Sequence, residues 1–235
     1  MSCRLLVRVS FSISPIQNIR LFGSNRRGGS LKRIGVFGGT FNPIHNGHLH
    51  LARAYANVLR LDLTLLVPTF VPPHKTSMGL LSAQDRLKMC QLAIDGMEKM
   101  AVSDIEIRRG GKSYSVDTLH ALARKYPQAS FYFLMGADMF LTVEEWHDFP
   151  GLMRAATLCA AARHEGELLP LRQHAEMLKK KYGARCCIEK IPVLDVSSTR
   201  IRKALACGED VQTLLPNRVQ KYIRRNGLYR MKGRG

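Results

Sequence analysis

The chain has 235 residues, 46% of them hydrophobic, which is enough apolar content for one well-packed α/β domain. No window is apolar over the length that a bilayer requires, and this excludes a protein that crosses a membrane through helices. The six cysteines include no C-x-x-C pair, so we expect reduced, partly buried thiols in a reducing compartment.

The net charge of +18 falls on two unequal parts of the chain. Residues 1–30 contain five arginines and no acidic residue, which leaves +13 for residues 31–235. The first part is similar in composition to an organelle transit peptide, but we favour a non-native extension such as a start codon placed too far upstream. We expect it to be disordered, with the chemistry in residues 31–235. A basic domain can bind nucleic acid or steer polyanionic nucleotides into a cleft.

Strand-like and helix-like segments alternate from residue 31 onwards, which is typical of a parallel sheet with helices on both faces. The predicted strands cover residues 34–37, 63–67, 102–107, 131–135, 158–162 and 186–191. The predicted helices cover residues 49–59, 83–97, 116–126, 170–182 and 198–207, and a last helix begins near Pro216. In such sheets ligands bind beyond the carboxyl ends of the strands, and each motif below follows a strand.

The stretch GGTFNPIHNGHLHLA, residues 38–52, predicts a glycine-rich turn between a strand and a helix. Glycines allow close approach of the backbone, and a helix start favours phosphate. His45 and His48 can face one bound anion, as imidazole donates hydrogen bonds and gains charge readily beside phosphate. Two other interpretations remain: a metal site that includes His50, although no Cys or acidic residue lies nearby, or a purely structural pair. We expect His50 to be a half-exposed bystander.

Two further segments carry cations or hydroxyls. PPHK follows the second strand and could hold Lys75 near phosphate, or form an ordinary surface loop. VSSTRIR opens a helix, where Ser198 and Thr199 can cap it and bind an anion. Arg202 can then bind a phosphate through two hydrogen bonds from its planar guanidinium group, while Arg200 points to solvent. The alternative is a simple helix cap with both arginines in solvent.

Acidic, aromatic and hydroxyl side chains complete the set. Asp138 ends the 131–135 strand, where a carboxylate suits ribose hydroxyls. Trp146 is the single tryptophan, and it could lie in the core or stack on a planar ring beside a pocket. The hydroxyls of SYSVDTL could cap the next helix or touch a substrate.

These segments resemble a known family. GGTFNPIHNGHL resembles the T/HxGH signature of the nucleotidylyltransferase superfamily, which is related to the HIGH motif of class I aminoacyl-tRNA synthetases. VPPHK, SYSVDTL, MGADMF with EEWH, VSSTRIR and LLPNRVQKYIRRNGLY are similar, in the same order, to the bacterial nicotinate-nucleotide adenylyltransferases. They cover almost all of residues 31–229. The resemblance implies a Rossmann-like, doubly wound parallel sheet in a single domain with a C-terminal helical portion.

The resemblance also implies roles for individual residues. The catalytic residues are His45, His48 and Arg202. The other ATP-binding residues are Gly38, Gly39, Thr40, Phe41, Lys75, Asp138, Arg163, Ser198 and Thr199, with Asp138 on the adenosine ribose. The nicotinate mononucleotide site is Tyr114, Ser115, Trp146 and His147, with Trp146 stacked on the nicotinate ring. The family often has Thr at the place of Ser115, and Arg-Pro-Gly where this chain has Arg163-His164-Glu165.

The implied reaction transfers the adenylyl group of ATP to nicotinate mononucleotide, giving nicotinate adenine dinucleotide and pyrophosphate in NAD biosynthesis. Mg²⁺ is expected on the phosphates, with no protein-ligated metal. We expect a cytoplasmic monomer or homo-oligomer without nucleic-acid or membrane partners, unless residues 1–30 direct it to an organelle. The alternatives are a transferase of the same fold acting on phosphopantetheine, a flavin or nicotinamide mononucleotide, or a nucleic-acid-binding module that needs neither histidine.

Overall fold

The structure, a computed structural model, describes residues 32–73, 79–162, 164–192 and 194–230. These ranges contain a six-stranded sheet in which every paired strand runs parallel. The strands are β1 Arg33–Gly39, β2 Leu63–Pro68, β3 Met100–Val102, β4 Ser130–Gly136, β5 Thr157–Ala162 and β6 Cys186–Lys190. Their order across the sheet is β3-β2-β1-β4-β5-β6, so the direction of winding reverses between β1 and β4.

Helices connect these strands and cover both faces of the sheet. They are α1 Asn46–Val58, α2 Ala83–Ala93, α3 Ile105–Arg109, α4 Ser115–Lys125, α5 Ala137–Leu141, α6 Phe149–Ala155, α7 Glu165–Tyr182, α8 Ser198–Ala206 and α9 Asn217–Arg225. Residues of α1, α2, α8 and α9 form the hydrophobic core on one face, and residues of α4, α6 and α7 form the core on the other. The predicted doubly wound fold with C-terminal helices is confirmed.

The two cores follow from the period of two along each strand. In β4, Phe131, Phe133 and Met135 pack into one core, while Tyr132 and Leu134 pack against the other. A strand buried on both faces needs apolar residues at successive positions, which explains why these strands are continuous apolar runs in the sequence.

Several predicted boundaries were wrong, and three of them differ the most from the structure. The strand predicted at 102–107 ends at Val102, and residues from Ile105 form the short helix α3, because a brief apolar run does not distinguish the two periods. The helix predicted to reach residue 97 ends at Ala93. The helix predicted from Pro170 begins at Glu165, where two acidic residues in the first turn suit the positive end of the helix dipole.

The extension predicted for residues 1–30 lies outside the described residues, so the predicted domain boundary stays a prediction. Among the residues that are described, no helix is both long and apolar enough to cross a membrane.

Candidate active site

The carboxyl ends of β1 and β4 open onto a cleft of about 920 Å³. This edge is the switch point of the sheet, where doubly wound α/β proteins bind their ligands. The volume lies near the upper end of the usual range for small-molecule sites.

A buried arginine supports the glycine-rich turn from below. Arg86 of α2 is only 1% exposed. Its guanidinium donates to the carbonyl oxygens of Thr40 (2.8 Å), Phe70 (3.1 Å) and Leu81 (3.1 Å). A buried guanidinium stays charged and needs acceptors, so these bonds tie the turn to the residues that flank the end of β2 and the start of α2. No pattern in the sequence indicated Arg86, since its acceptors are backbone carbonyl oxygens.

His45 and His48 cap the start of α1 reciprocally. The backbone N–H of His48 donates to Nδ1 of His45, and the N–H of His45 donates to Nδ1 of His48, both at 3.3 Å. The rings stack with centroids 3.7 Å apart and planes inclined by 25°. Because each Nδ1 accepts, the proton of each neutral ring lies on Nε2, which becomes the donor. Both residues line the cleft, so the structure brings together the pair that the sequence predicted.

Burial controls the charge of His45. The residue is 6% exposed, and desolvation lowers its pKa from 6.5 to about 4. The ring is therefore neutral near pH 7 in the free protein. An anion bound at the start of α1 would favour the charged form, so charging depends on the ligand.

Small and aromatic neighbours keep the two rings in place. A Cβ on Gly47 would lie 2.7 Å from Cγ1 of Val196 and 3.1 Å from Nδ1 of His45, so glycine is required there by packing. Phe41 is 2% exposed, and its ring meets that of His48 edge to face at 5.1 Å. The buried ring of Phe41 thus packs against His48 and helps to hold it.

His50 makes a contact with the carbonyl oxygen of Pro192, as expected of a residue outside the anion site.

The start of α8 is joined to the glycine-rich turn. Ser198 donates its hydroxyl to the carbonyl oxygen of Pro43 at 2.9 Å. Arg202 donates through Nη1 to the carbonyl oxygen of Asn42 at 2.9 Å and through Nη2 to Oγ1 of Thr199 at 3.3 Å. The helix cap itself is Ser197, whose Oγ accepts from the N–H of Arg200. Ser198, Thr199 and Arg202 all line the cleft beside the histidines.

Aromatic residues form another part of the cleft wall. Trp146 lines the cleft, and its ring meets Phe133 of β4 edge to face at 6.0 Å. Tyr114 and His147 pack ring against ring at 4.1 Å. Ser115 is the first residue of α4 and also lines the cleft. These contacts place flat surfaces beside a hydroxyl, a combination suited to a planar ring that carries a polar group.

Acidic side chains reach the cleft in different states. Asp138 lies in the first turn of α5, directly after β4, and is exposed. Glu106 is 4% exposed and accepts a 2.6 Å hydrogen bond from the hydroxyl of Thr118, while its Oε2 is buried without a hydrogen-bond partner. Burial raises the pKa of Glu106. Glu106 was not predicted as a site residue, because residues 102–107 were predicted as a strand. The one indication in the sequence was an acidic residue between two isoleucines.

The cleft thus gathers the predicted residues of both substrate sites that the structure describes. They are Gly38, Gly39, Thr40, Phe41, His45, His48, Tyr114, Ser115, Asp138, Trp146, His147, Ser198, Thr199 and Arg202. Lys75 and Arg163 lie outside the described residues. Within the described ranges, no three His, Cys, Asp or Glu side chains are placed to hold a metal ion together. The proximity is a fact of the fold, whereas the role of each residue stays a prediction.

A doubly wound parallel sheet with imidazoles and two helix starts at its switch point defines a nucleotide-binding α/β protein. Comparison with known proteins gives the particular family. The model of the cytidylyltransferase-like family matches residues 36–204. A probable nicotinate-nucleotide adenylyltransferase of Syntrophotalea carbinolica is 40% identical over 216 residues, which cover 86% of this chain and 99% of the relative. One of Gloeobacter violaceus is 41% identical over 204 residues, covering 84% and 96%. The chain belongs to the cytidylyltransferase-like family, and within it to the nicotinate-nucleotide adenylyltransferases.

Solved structures agree on the fold. A Plasmodium falciparum nicotinic acid mononucleotide adenylyltransferase complexed with NaAD superposes with a TM-score of 0.68 at 21% identity, covering 84% of this chain and 97% of the other. A putative nicotinate-nucleotide adenylyltransferase from Vibrio parahaemolyticus gives a TM-score of 0.59 at 23% identity, covering 85% and 96%. At these identities the comparison establishes the shared architecture.

The state of His45 leads to a test. In the free protein its ring should titrate near pH 4, because burial disfavours the imidazolium. ATP or pyrophosphate should raise that midpoint, since a nearby anion favours the charged form. NMR of histidine-labelled protein measures both, and His45→Ala identifies the signal. A midpoint near 6.5 without ligand would contradict the buried, neutral ring.

The same lowered pKa of His45 predicts that the folded state loses stability as the pH falls from 6.5 towards 4, because the unfolded chain takes up this proton first.

Proposed function

We propose that this chain transfers the adenylyl group of ATP to nicotinate mononucleotide, giving nicotinate adenine dinucleotide and pyrophosphate as a step of NAD biosynthesis. Family membership supports the activity, and one observation of the site carries it. His45 and His48 stack at the start of α1 and line the cleft together with Arg202. This places imidazole N–H donors, a guanidinium and a helix dipole in the wall of one cleft, as a polyphosphate requires.

The histidine side of the cleft is assigned to ATP. In this proposal the Nε2 protons of His45 and His48 donate to the phosphates, and Arg202 and the start of α8 contact them from the other side. The backbone of Gly38, Gly39 and Thr40 lies beneath, and Asp138 takes the adenosine ribose. Lys75 and Arg163 are assigned to the same substrate on the basis of the family resemblance.

The aromatic side is assigned to nicotinate mononucleotide. Trp146 is held by Phe133 and stacks on the pyridine ring with its remaining surface. Ser115 and the backbone near His147 meet the carboxylate of nicotinate. An N–H group and a hydroxyl at a helix start suit a carboxylate, because they donate hydrogen bonds to a negative group.

The reaction needs positioning and charge neutralisation more than covalent chemistry. The 5′-phosphate of the mononucleotide attacks the α-phosphorus of ATP in line, that P–O bond forms, and the bond to pyrophosphate breaks. His48 and Arg202 stabilise the charge that develops on the phosphoryl oxygens and the leaving group. Mg²⁺ on the phosphates would supply further charge neutralisation, and the exposed carboxylate of Glu145 on the cleft wall would suit such an ion.

The remaining assignments also belong to this proposal. Residues 31–235 form the catalytic domain, and residues 1–30 are an extension that takes no part in the reaction. The partners are ATP and the mononucleotide, not nucleic acid or membrane. The protein works in the cytoplasm as a monomer or homo-oligomer.

A panel of acceptors tests the activity. Purified protein with ATP and Mg²⁺ should release pyrophosphate fastest with nicotinate mononucleotide, because the aromatic wall suits a planar pyridine ring and Ser115 and the backbone near His147 can donate to its carboxylate. Nicotinamide mononucleotide, phosphopantetheine and FMN are the comparison acceptors. Faster release with any of these, or no release with all four, would contradict the proposal.

Replacement of His48 tests the phosphate site. His48→Ala should lower kcat by about 10²-fold or more, which is the scale for losing one well-placed donor to a developing oxyanion. His50→Ala is the matched control, since His50 lies on the same helix and contacts Pro192. We expect the control to keep its turnover. Equal turnover of both variants and the wild type would remove His48 from catalysis.

Replacement of Trp146 tests the aromatic wall. Trp146→Ala should raise KM for the mononucleotide by roughly tenfold, since stacking on one ring contributes about 1–3 kcal/mol. KM for ATP should change little. Trp146→Phe keeps an aromatic face and should lose much less. A rise confined to the KM of ATP would show that the stacking assignment is wrong.

A further inference from the structure

Asn42 is the meeting point of three segments in the wall of the cleft. The residue is 6% exposed and lies in the glycine-rich turn. Its Nδ2 donates to the carbonyl oxygen of Gly79 at 2.9 Å, and its Oδ1 accepts from the N–H of Leu81 at 3.4 Å. Its backbone carbonyl accepts the 2.9 Å bond from Arg202. One buried residue therefore connects the turn to α8 through its backbone carbonyl, and to the segment that follows residues 74–78 through its side-chain amide.

The fourth partner comes from the far end of the chain. The hydroxyl of Tyr229 lies 2.8 Å from Oδ1 of Asn42. The direction of this bond is determined, because the N–H of Leu81 and the carbonyl oxygen of Gly79 permit only one orientation of the Asn42 amide. Oδ1 is then an acceptor, so Tyr229 donates. This bond spans 187 positions of the chain.

The backbone of Tyr229 is also unusual. Its φ is +64°, in the left-handed region that a residue with a bulky side chain rarely adopts. Burial raises the pKa of its hydroxyl, which therefore keeps its proton and remains a donor. The adjacent Leu228 N–H donates to the carbonyl oxygen of Ile223 at 3.1 Å and joins the segment to α9. An unfavourable backbone at this point is retained together with a contact to the cleft wall.

We propose that Tyr229 is a positioning residue for the ATP side of the cleft and acts through Asn42. Its hydroxyl orients the Asn42 amide, which in turn holds the carbonyl acceptor of Arg202 and the segment at Gly79 in register with the glycine-rich turn. This inference rests on the proposed function, because it assigns Arg202 and the turn to the phosphates of ATP. The aromatic wall for the mononucleotide has its own supports on β4 and α4 and does not depend on Tyr229.

The alternative is that Tyr229 only anchors the C-terminal segment. The chain offers a matched control for that role. Tyr222 of α9 donates its hydroxyl to Oδ1 of Asp85 at 2.8 Å and joins α9 to α2, while its ring, like that of Tyr229, packs against the same core. Tyr222→Phe and Tyr229→Phe each remove one hydroxyl that anchors the same part of the chain, but only Tyr229 bonds to a residue that lines the cleft.

The experiment compares the two variants in the full-length protein. Steady-state kinetics gives kcat and both KM values, and calorimetry with a non-hydrolysable ATP analogue gives the Kd directly. Tyr229→Phe should weaken binding of the analogue and raise KM for ATP about threefold to tenfold, the range for one net hydrogen bond, with KM for the mononucleotide unchanged. Tyr222→Phe should leave all three values unchanged, even where it lowers the melting temperature.

Two results would overturn the inference. One is an unchanged Kd for the ATP analogue in Tyr229→Phe, and the other is an equal loss in both variants. The calorimetric measurement does not require turnover, so failure of the proposed reaction is separated from failure of the positioning role. A wild type that binds the analogue but adenylylates none of the four acceptors would refute the function and still allow the comparison of the two tyrosines.

Discussion

Backbone N–H groups at the start of α1 need acceptors, and in this protein two imidazoles accept from two of them, those of His45 and His48. Each Nδ1 accepts one N–H, so the rings are held against one another and each proton lies on Nε2. The helix dipole favours negative charge at the same place. One local arrangement thus caps a helix, selects the tautomer of both rings and prepares a site for an anion. The packing of Phe41, Gly47 and Val196 around the rings is explained by this constraint.

The sheet makes this arrangement useful, because its switch point brings a second group of residues to the same edge. β1 leads to the glycine-rich turn, and β4 leads to Asp138 and the aromatic wall. The chain then returns through α8, which is tied to the turn by hydrogen bonds to the carbonyl oxygens of Asn42 and Pro43. A reaction between two anionic substrates depends chiefly on holding both in one geometry. A cleft assembled from two halves of a rigid sheet meets that requirement.

Burial decides how much charge the cleft carries before a ligand arrives. Burial lowers the pKa of His45, so its ring is neutral. Burial raises the pKa of Glu106, which likewise favours the neutral form of that side chain. The permanent charges come from groups that cannot easily neutralise, above all Arg202 and the buried Arg86 beneath the turn. The site therefore avoids a concentration of unpaired positive charge when empty and can gain charge when phosphate is bound.

Most of the strands and most of the cleft residues could be predicted from the sequence, and the predictions that were wrong have physical reasons. The strands at β1, β2, β4 and β5 were recovered because they are buried on both faces and read as unbroken apolar runs. The residues of the cleft were predicted because their motifs resemble those of a known family, and because ligands of such sheets bind at the carboxyl ends of the strands. The segment after Val102 failed because six residues of mixed apolar character suit either period, and Glu106 was lost with it. Tyr229 went unnoticed because its partner lies 187 positions away, and Arg86 because its acceptors are backbone carbonyl oxygens, which leave no pattern of residue types.

The sequence by itself determined the order of elements, the chemistry at the end of each strand and the family, since these depend on local periodicity and on residue types at short spacing. Only the tertiary structure decided that the two histidines cap each other, that His45 is neutral, and that Ser198 and Tyr229 reach back across 155 and 187 positions to Pro43 and Asn42. Such facts depend on which groups become neighbours when the layers pack and on how much water that packing removes. Neither the neighbours of a group nor its loss of water can be read from a short stretch of the chain.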